Sequence, residues 1–270
     1  MSPIPEEILL LAENSNTYTP LGPSEVRIVD PRYVVYLWGR VTHPAATVVQ
    51  RLRLSPENVE ETVARVRALL AERGRPASTW EVGNSATPPG LAGRLLALGM
   101  EPYEEPLAVG MVLLEPPPPV ETDVAVRKVE TLDEYLAAID IANDAFGMSE
   151  RDREEARADA GRSFRERKES GRVDTFLAWL DGEPVAVGWA TYADAGVVLN
   201  GGSTLPRARG RGAYRALVAA RWEEAARRGT PALITQAGAM SRPILRRLGF
   251  QEVAEIRILL DDRRAGRCEA

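Results

Sequence analysis

Two stretches of this chain share one outline, and that repetition limits its possible folds more than any other feature. "LSPENVEETVARVRALLAERGRPASTWEVG" (Leu54–Gly83) parallels "LPRARGRGAYRALVAARWEEAARRGTPALITQAG" (Leu205–Gly238). Pro56 falls on Pro206. After a five-residue shortening, Pro76 falls on Pro231 and Gly83 on Gly238. Further on, "RLLALGMEPYEE" (Arg94–Glu105) falls on "PILRRLGFQEVAE", with Gly99 on Gly249. Each copy reads helix, glycine, proline, strand, then a short helix ending in Leu-Gly before a last strand. One such match would be commonplace, but the ordered set predicts two copies of one fold.

The lengths agree. A chain of 270 residues is comfortable for two domains, and each half is long enough to bury its own core. "EPPPPVE" (Glu115–Glu121) is the natural joint, because consecutive prolines favour extended chain and cannot continue a helix or a central strand. The expected division is a domain over 1–115, a proline-rich linker over 116–121 and a domain over 122–270. A hydrophobic content of 44% with 27% charged residues is that of a soluble globular protein. No apolar run approaches membrane length, and "MSPIPEEILLLAEN" lacks the basic start of a signal peptide. The net charge of −5 speaks against nucleic acid as the main partner. A single cysteine, Cys268, excludes internal disulfides, and a single histidine, His43, excludes His-cluster metal sites. These observations point to a cytoplasmic protein with no metal, no membrane and no nucleic acid. The scarcity of lysine beside abundant arginine points to a GC-rich bacterial genome.

The second half is the more legible. "VAVRKVE" (Val124–Glu130) alternates like an edge strand. Thr131 with Glu134, and Ser149 with Asp152, stand at capping-box spacing and open two helices. "DGE" (Asp181–Glu183) reads as a hairpin turn between two strands, and a third strand runs through Leu205. A helix follows from Ala213 to Arg228, with Tyr214, Leu217, Val218, Trp222, Ala225 and Ala226 on one side. Strand, helix and strand complete the order β-αα-βββ-α-β-α-β. The predicted class is α/β (α+β), with a mixed, mostly antiparallel central sheet flanked by helices in each domain.

"RARGRG" (Arg207–Gly212) carries the chemistry. Amides at a helix start lack partners and point outward, and the helix dipole favours an anion there. Gly210 and Gly212 let the backbone approach a bulky phosphate, and Arg207, Arg209 and Arg211 add forked donors. Read alone, the segment suits either a pyrophosphate cradle or a solvated basic turn. It is not a Walker loop, and Arg215 at the third glycine position disfavours a dinucleotide-binding fingerprint.

The segment fits the R/Q-x-x-G-x-G/A motif of the GCN5-related N-acetyltransferases (GNAT), which this half resembles from Val124 to about Asp261. The resemblance extends to the first half through the repeat, giving a tandem protein with a degenerate first copy. It implies acetyl-CoA as co-substrate. The amides of Arg209, Gly210, Arg211, Gly212, Ala213 and Tyr214 would hold the pyrophosphate, and the main chain of Ser203, Thr204 and Leu205 would pair with the pantetheine arm. That arm would lie in a splay between "VVLNGGSTL" and "PALITQAG". A primary amine of a small molecule or peptide would attack the thioester directly, with a strand N–H polarising the carbonyl. "NGG" (Asn200–Gly202) suits either the bulge such strands carry or a plain irregularity.

The departures from the family concern catalysis. Leu245 stands where many members carry a tyrosine acid, with Ser241 and Tyr214 as substitutes. No carboxylate stands on the strand before the motif, which leaves Tyr192 and Asp194 as the nearest candidates for a base. The alternative reading is therefore a silent CoA-binding or acyl-CoA-sensing protein. In the first copy Glu57, Glu60 and Glu61 replace the arginines and glycines, so that copy would help wall the acceptor pocket rather than bind CoA. A monomer or a homodimer fits equally. His43 reads as structural, and the five tryptophans (38, 80, 179, 189, 222) as core, with Trp179 or Trp189 able to line an acceptor pocket. The acids of Ser149–Ser170 read as a solvated face that could attract a cationic amine.

Overall fold

The computed structural model describes residues 3–264 apart from 23, 40, 42, 104 and 106; Cys268 lies outside the described residues. The chain forms two compact units. The C-terminal unit comprises Met111–Thr235 and Ser241–Gln251 together with Met1–Ile8. The N-terminal unit comprises Leu9–Gly110, Gln236–Met240 and the chain from Glu252 onward. These units differ at their ends from the expected boundaries 1–115 and 122–270, because the last strand of the chain belongs to the N-terminal unit.

In chain order the first half forms α1 (Glu6–Glu13), α2 (Ser15–Tyr18), β1 (Glu25–Asp30), β2 (Tyr33–Trp38), β3 (Thr47–Gln50), α3 (Val59–Ala71), β4 (Ala77–Val82), α4 (Leu91–Ala97), β5 (Glu101–Pro102) and β6 (Ala108–Leu113). The second half forms β7 (Ala125–Lys128), α5 (Leu132–Phe146), α6 (Glu150–Ser170), β8 (Val173–Leu180), β9 (Glu183–Ala193), β10 (Gly196–Thr204), α7 (Ala213–Arg227), β11 (Leu233–Ala237), α8 (Arg242–Arg247) and β12 (Gln251–Asp262).

The sheet of the N-terminal unit runs β1-β2-β3-β4-β12. Only β3 and β4 are parallel in that run. β12 is fixed there by register, Leu259 facing Trp80 and Asp261 facing Ser78, and by charge. The Arg67 guanidinium of α3 forks onto both oxygens of the buried Asp261, at 2.8 and 3.0 Å. Strand register, supported by this pairing, holds the chain end outside the expected domain. The core gathers Val63, Val66 and Leu70 of α3 with Leu91 and Leu95 of α4 around the fully buried Trp80. Trp38, expected in a core, is exposed at the end of β2.

The C-terminal unit contains the order β11-β10-β9-β8-β7, antiparallel except for the pair β10 and β11. Its helices start where their caps dictate. Thr131 and Glu134 form a reciprocal capping box on α5, and the Ser149 hydroxyl accepts from the Asp152 amide at the start of α6. Tyr135, Ala138 and Ile141 of α5 pack with Leu177, Val187 and Leu205 on one sheet face. The buried stripe of α7 holds Leu217, Val218, Trp222 and Ala225 as expected, and also Arg221 and Glu224. Ala226, expected on that side, is exposed.

The repeat is visible element by element. Each copy opens on a short 3-10 turn led by its proline, Pro56–Asn58 or Pro206–Ala208, and then a long helix. Each continues into a strand parallel to the one before the turn. Each short second helix ends at a glycine with positive φ, Gly99 at 85° and Gly249 at 96°.

Candidate functional site

The copies part company between turn and helix. In the first, the turn ends at Asn58 and α3 starts at Val59; in the second, the turn ends at Ala208 and α7 starts only at Ala213. Arg209, Gly210, Arg211 and Gly212 therefore have no counterpart. Glu57 alone matches a loop arginine, Arg207. Glu60 and Glu61 lie inside the first turn of α3, a correction to their expected place opposite the glycines.

The extra loop needs its glycines. Gly210 has φ +78° and Gly212 φ +89°, both in the left-handed region that other residues adopt at a cost. Gly212 is the N-cap of α7 and supplies no side-chain oxygen, so the first amides of the helix, those of Ala213 and Tyr214 among them, have no side-chain cap. Arg207 and Arg209 are exposed. Arg211 pairs with Asp123, and its carbonyl accepts from the Thr122 hydroxyl at 2.7 Å. The chain just after the proline run thus anchors the loop, and nothing in the sequence pattern pointed to Thr122 or Asp123. Arg209 Nε reaches Thr204 O at 3.5 Å, so the three arginines differ in what they already contact.

Behind the loop, β10 and β11 register only at Val197–Leu233 and Val198–Ile234, while β10 continues to Thr204. The strands diverge where the splay was expected. The other edge of β10 stays on β9, and the Leu205 amide donates to Val185 O at 2.9 Å. Between Asn200 (facing Trp189) and Ser203 (facing Val187) β10 carries one extra residue, so "NGG" is a bulge, with Gly201 at φ +57°.

The same region of the N-terminal unit is closed. There Leu52 O and Leu54 N are both hydrogen-bonded to the backbone of Thr87. The Arg51 amide donates to Asn14 Oδ1 at 2.8 Å, and Glu13 of α1 accepts from the amide and hydroxyl of Ser85. The main chain that corresponds to Ser203–Leu205 is already paired, and the start of the chain fills the space beside it. His43 serves as a cap, its Nδ1 accepting from the Ala45 amide.

The candidate catalytic residues do not all gather at the bulge. Tyr214 does: it is half-buried on α7, and its ring lies against Gly202. Burial raises its pKa, and the nearby Arg221 charge works the other way. Tyr192 sits opposite Val197, and its phenol donates to Asp174 at 2.7 Å beneath the Arg228 guanidinium. Burial first, and then Asp174, raise its pKa, so it stays protonated and makes no base. Its neighbours form a tight ionic network in which Lys128 and Arg228 bridge Asp174 and Glu224. Burial alone would raise Glu224; hydrogen bonds from Arg227, Lys128 and Arg228 outweigh it and pull the carboxyl down to about 2. Asp194 is exposed in the β9–β10 turn, at the far end of β10, about 13 Å along the strand from Asn200. Ser241 precedes α8, and Leu245 within α8 is fully buried.

Sequence reasoning missed Arg221, although it stands at helical spacing among apolar neighbours. Its guanidinium is fully buried against Gly188, donates to Leu217 O and Trp189 O, and leaves Nη2 without a partner. Burial pushes its pKa down to about 10, so it remains charged at neutral pH. Trp179 Nε1, Trp189 Nε1, Ser203 Oγ and Thr204 Oγ1 are also buried without partners. Three acids of α6 pair with its own arginines, and two further arginines of α6 reach aspartates of α5. Asp159 and Glu166 pair with Arg162, and Glu155 with Arg151, while Arg157 reaches Asp140 and Arg153 reaches Asp144.

A splayed parallel pair with a bulged strand, and a helix without a side-chain cap behind a glycine–arginine loop, stand together in an α/β fold. Comparison with known proteins makes this specific. No protein-family model matches the chain, and no curated protein matches it significantly. Among solved structures, a GCN5-related N-acetyltransferase from Kribbella flavida is similar at TM-score 0.67 and 23% identity, over 88% of this chain and 90% of its own. A tandem GNAT protein from the clavulanic acid biosynthesis pathway is similar at TM-score 0.59 and 17% identity, over 96% and 89%. A GCN5-related N-acetyltransferase from Sphaerobacter thermophilus is similar at TM-score 0.62 and 16% identity, over 88% and 83%. The chain has the GNAT fold in tandem. Among the described residues no helix is long and apolar enough to cross a membrane.

Proposed function

We propose that this protein is an acetyl-CoA-dependent N-acetyltransferase with one donor site, in the C-terminal unit. The supporting observation is the four-residue loop Arg209–Gly212, present in one copy and absent from the other, set before an uncapped helix. In this reading Arg207, Arg209 and the amides from Arg209 to Tyr214 take the pyrophosphate. The main chain of Ser203–Leu205 on the side away from β9 takes the pantetheine arm, with Arg209 exchanging its contact to Thr204 O, and brings the thioester to the bulge at Asn200–Gly202. The acceptor nitrogen bonds to the carbonyl carbon and gives up a proton to solvent, the C–S bond breaks, and the thiolate leaves and takes up a proton. A primary amine of a small molecule or peptide is the acceptor class. The GNAT fold of solved acetyltransferases supports this reading, as does the paired main chain of the N-terminal unit, which leaves no second arm site.

A second reading, a protein that binds CoA without transfer, draws on the buried Leu245 and on a β10 without a carboxylate. Calorimetry with acetyl-CoA, followed by thiol release across a panel of amines, separates the two. Binding with release supports transfer, and binding with background release supports the silent protein. Binding unaffected by the double variant Arg207→Glu/Arg209→Glu refutes the site itself. Gly212→Glu is the poorer test, since any side chain there strains the backbone at φ +89°.

A further inference from the structure

The loop before α7 does not hold its shape alone. Thr122, which follows the proline run in the same unit, donates its hydroxyl to Arg211 O at 2.7 Å. The same hydroxyl accepts from the Val124 amide at 3.2 Å, one residue before β7. Its one proton is therefore given to Arg211 O, and the edge strand fixes where that carbonyl points. The Thr122 side chain also packs on the next residue of the loop. A Cβ placed at Gly212 would stand 3.1 Å from both Cβ and Oγ1 of Thr122. A trans peptide is planar, so its C=O and N–H point in opposite directions. With the Arg211 carbonyl turned to Thr122, the Gly212 amide is turned away from it. That amide has no hydrogen-bond partner among the described residues. One hydroxyl thus aims one of the amides that a pyrophosphate would need.

Asp123 acts on the same loop with the opposite sign. Its carboxylate pairs with the Arg211 guanidinium, and both side chains are about half exposed. An exposed pair of this kind is weak and exchanges readily. It still offers Arg211 an internal anion in place of a bound one, and it sets a negative charge beside the loop. The two residues are neighbours in sequence, yet the hydroxyl orders the loop for an anion and the carboxylate competes with that anion.

We infer that Thr122 is a positioning residue for the pyrophosphate loop and that Asp123 is a built-in competitor for Arg211, so that the two set acetyl-CoA affinity in opposite directions. The inference rests on the acetyl-CoA reading and adds to it two residues outside the loop itself. The experiment is calorimetry of acetyl-CoA on the full chain, Thr122→Ser, Thr122→Ala and Asp123→Asn at two salt concentrations, with Tm followed by circular dichroism. Thr122→Ala should bind about tenfold more weakly, the worth of one hydrogen bond to a charged group, while Thr122→Ser keeps the hydroxyl and should stay within about threefold of the natural protein. Asp123→Asn should bind about two- to fivefold more tightly at low salt, the range of an exposed ion pair, and the gain should shrink at high salt. A Thr122→Ala variant that binds like the natural protein, or a serine variant as weak as the alanine one, overturns the positioning role. Unchanged or weaker binding by Asp123→Asn overturns the competitor role, whatever Thr122→Ala does to the fold. A general loosening of the chain would weaken binding in both variants, so the opposite signs are the discriminating result. If the natural protein binds acetyl-CoA and only the variants disagree, the donor site stands without this inference; if it does not bind at all, the underlying functional reading fails as well.

Discussion

Glu81 on β4 makes the stability of the N-terminal unit depend on pH in a way that one substitution removes. Its carboxyl is fully buried, and burial pushes it up to about 7 from an ordinary 4.5, against hydrogen bonds from Gln236 and Gln50. Both amides reach the same oxygen, Gln50 Nε2 at 2.9 Å and Gln236 Nε2 at 3.3 Å. Gln50 is itself held by the amide and hydroxyl of Thr17, and Gln236 also donates to Glu13 O. No cation faces Glu81 in these contacts. Because the folded state binds the proton more tightly than the unfolded chain, the group favours folding most at and below pH 4.5. That contribution is lost as pH rises through 7. The gap, at about 1.4 kcal/mol per pH unit, corresponds to about 3 kcal/mol. At about 3 °C per kcal/mol for a unit of this size, Tm should fall by roughly 10 °C between pH 5 and pH 8 through this residue alone. Glu81→Gln keeps the shape and removes the proton. Its Tm, followed by circular dichroism, should exceed that of the natural protein at pH 8 and match it at pH 5. Parallel pH profiles for the two proteins would refute the assignment.

Other substitutions test the remaining elements. Arg209→Glu and Arg207→Glu should each weaken acetyl-CoA affinity about tenfold or more and reduce its dependence on salt, as calorimetry at two ionic strengths would show. Asp261→Ala should cost about 2 kcal/mol in urea unfolding. The loss stays below that of a wholly buried pair because the Arg67 side chain keeps 24% of its surface exposed. Arg221→Met should leave Tm unchanged or raise it, since it removes a buried charge that no carboxylate compensates. A loss of more than about 2 kcal/mol would show that its bonds to Leu217 O and Trp189 O outweigh that burden.

Much of the C-terminal half was legible because its signals are local. Capping pairs at Thr131 and Ser149, the turn in Asp181–Glu183 and the glycines Gly229 and Gly249 after the last two helices are read within a few residues, and all were found where expected. Contacts between distant positions were not legible. Thr122 lies 89 positions from the carbonyl it holds, and Asp261 lies 194 positions from Arg67. Register between remote strands, not local preference, sends β12 into the N-terminal unit. Arg221 was overlooked for another reason: charged residues are presumed outward, yet its spacing matched the buried stripe. The candidate bases were chosen by nearness in sequence, and the strand geometry puts Tyr192 and Asp194 at the end of β10 away from the bulge.

The two copies also act as an internal control for the loop. Both start a long helix after the same proline-led turn, and the first does so directly, with acids in its opening turn that suit the helix dipole. A helix start in this fold therefore needs neither the extra residues nor positive charge. The second copy interposes two glycines at positive φ and brings three arginines together. Each feature is unfavourable for folding taken alone, by the entropy of ordering glycine and by like-charge repulsion. They become favourable together when a pyrophosphate accepts from the amides and neutralises the arginines. It follows that the natural protein should gain more thermal stability from saturating acetyl-CoA than any variant that shortens the loop to the first copy's length. Deleting Arg209–Gly212 should abolish that gain while raising the Tm of the unliganded protein.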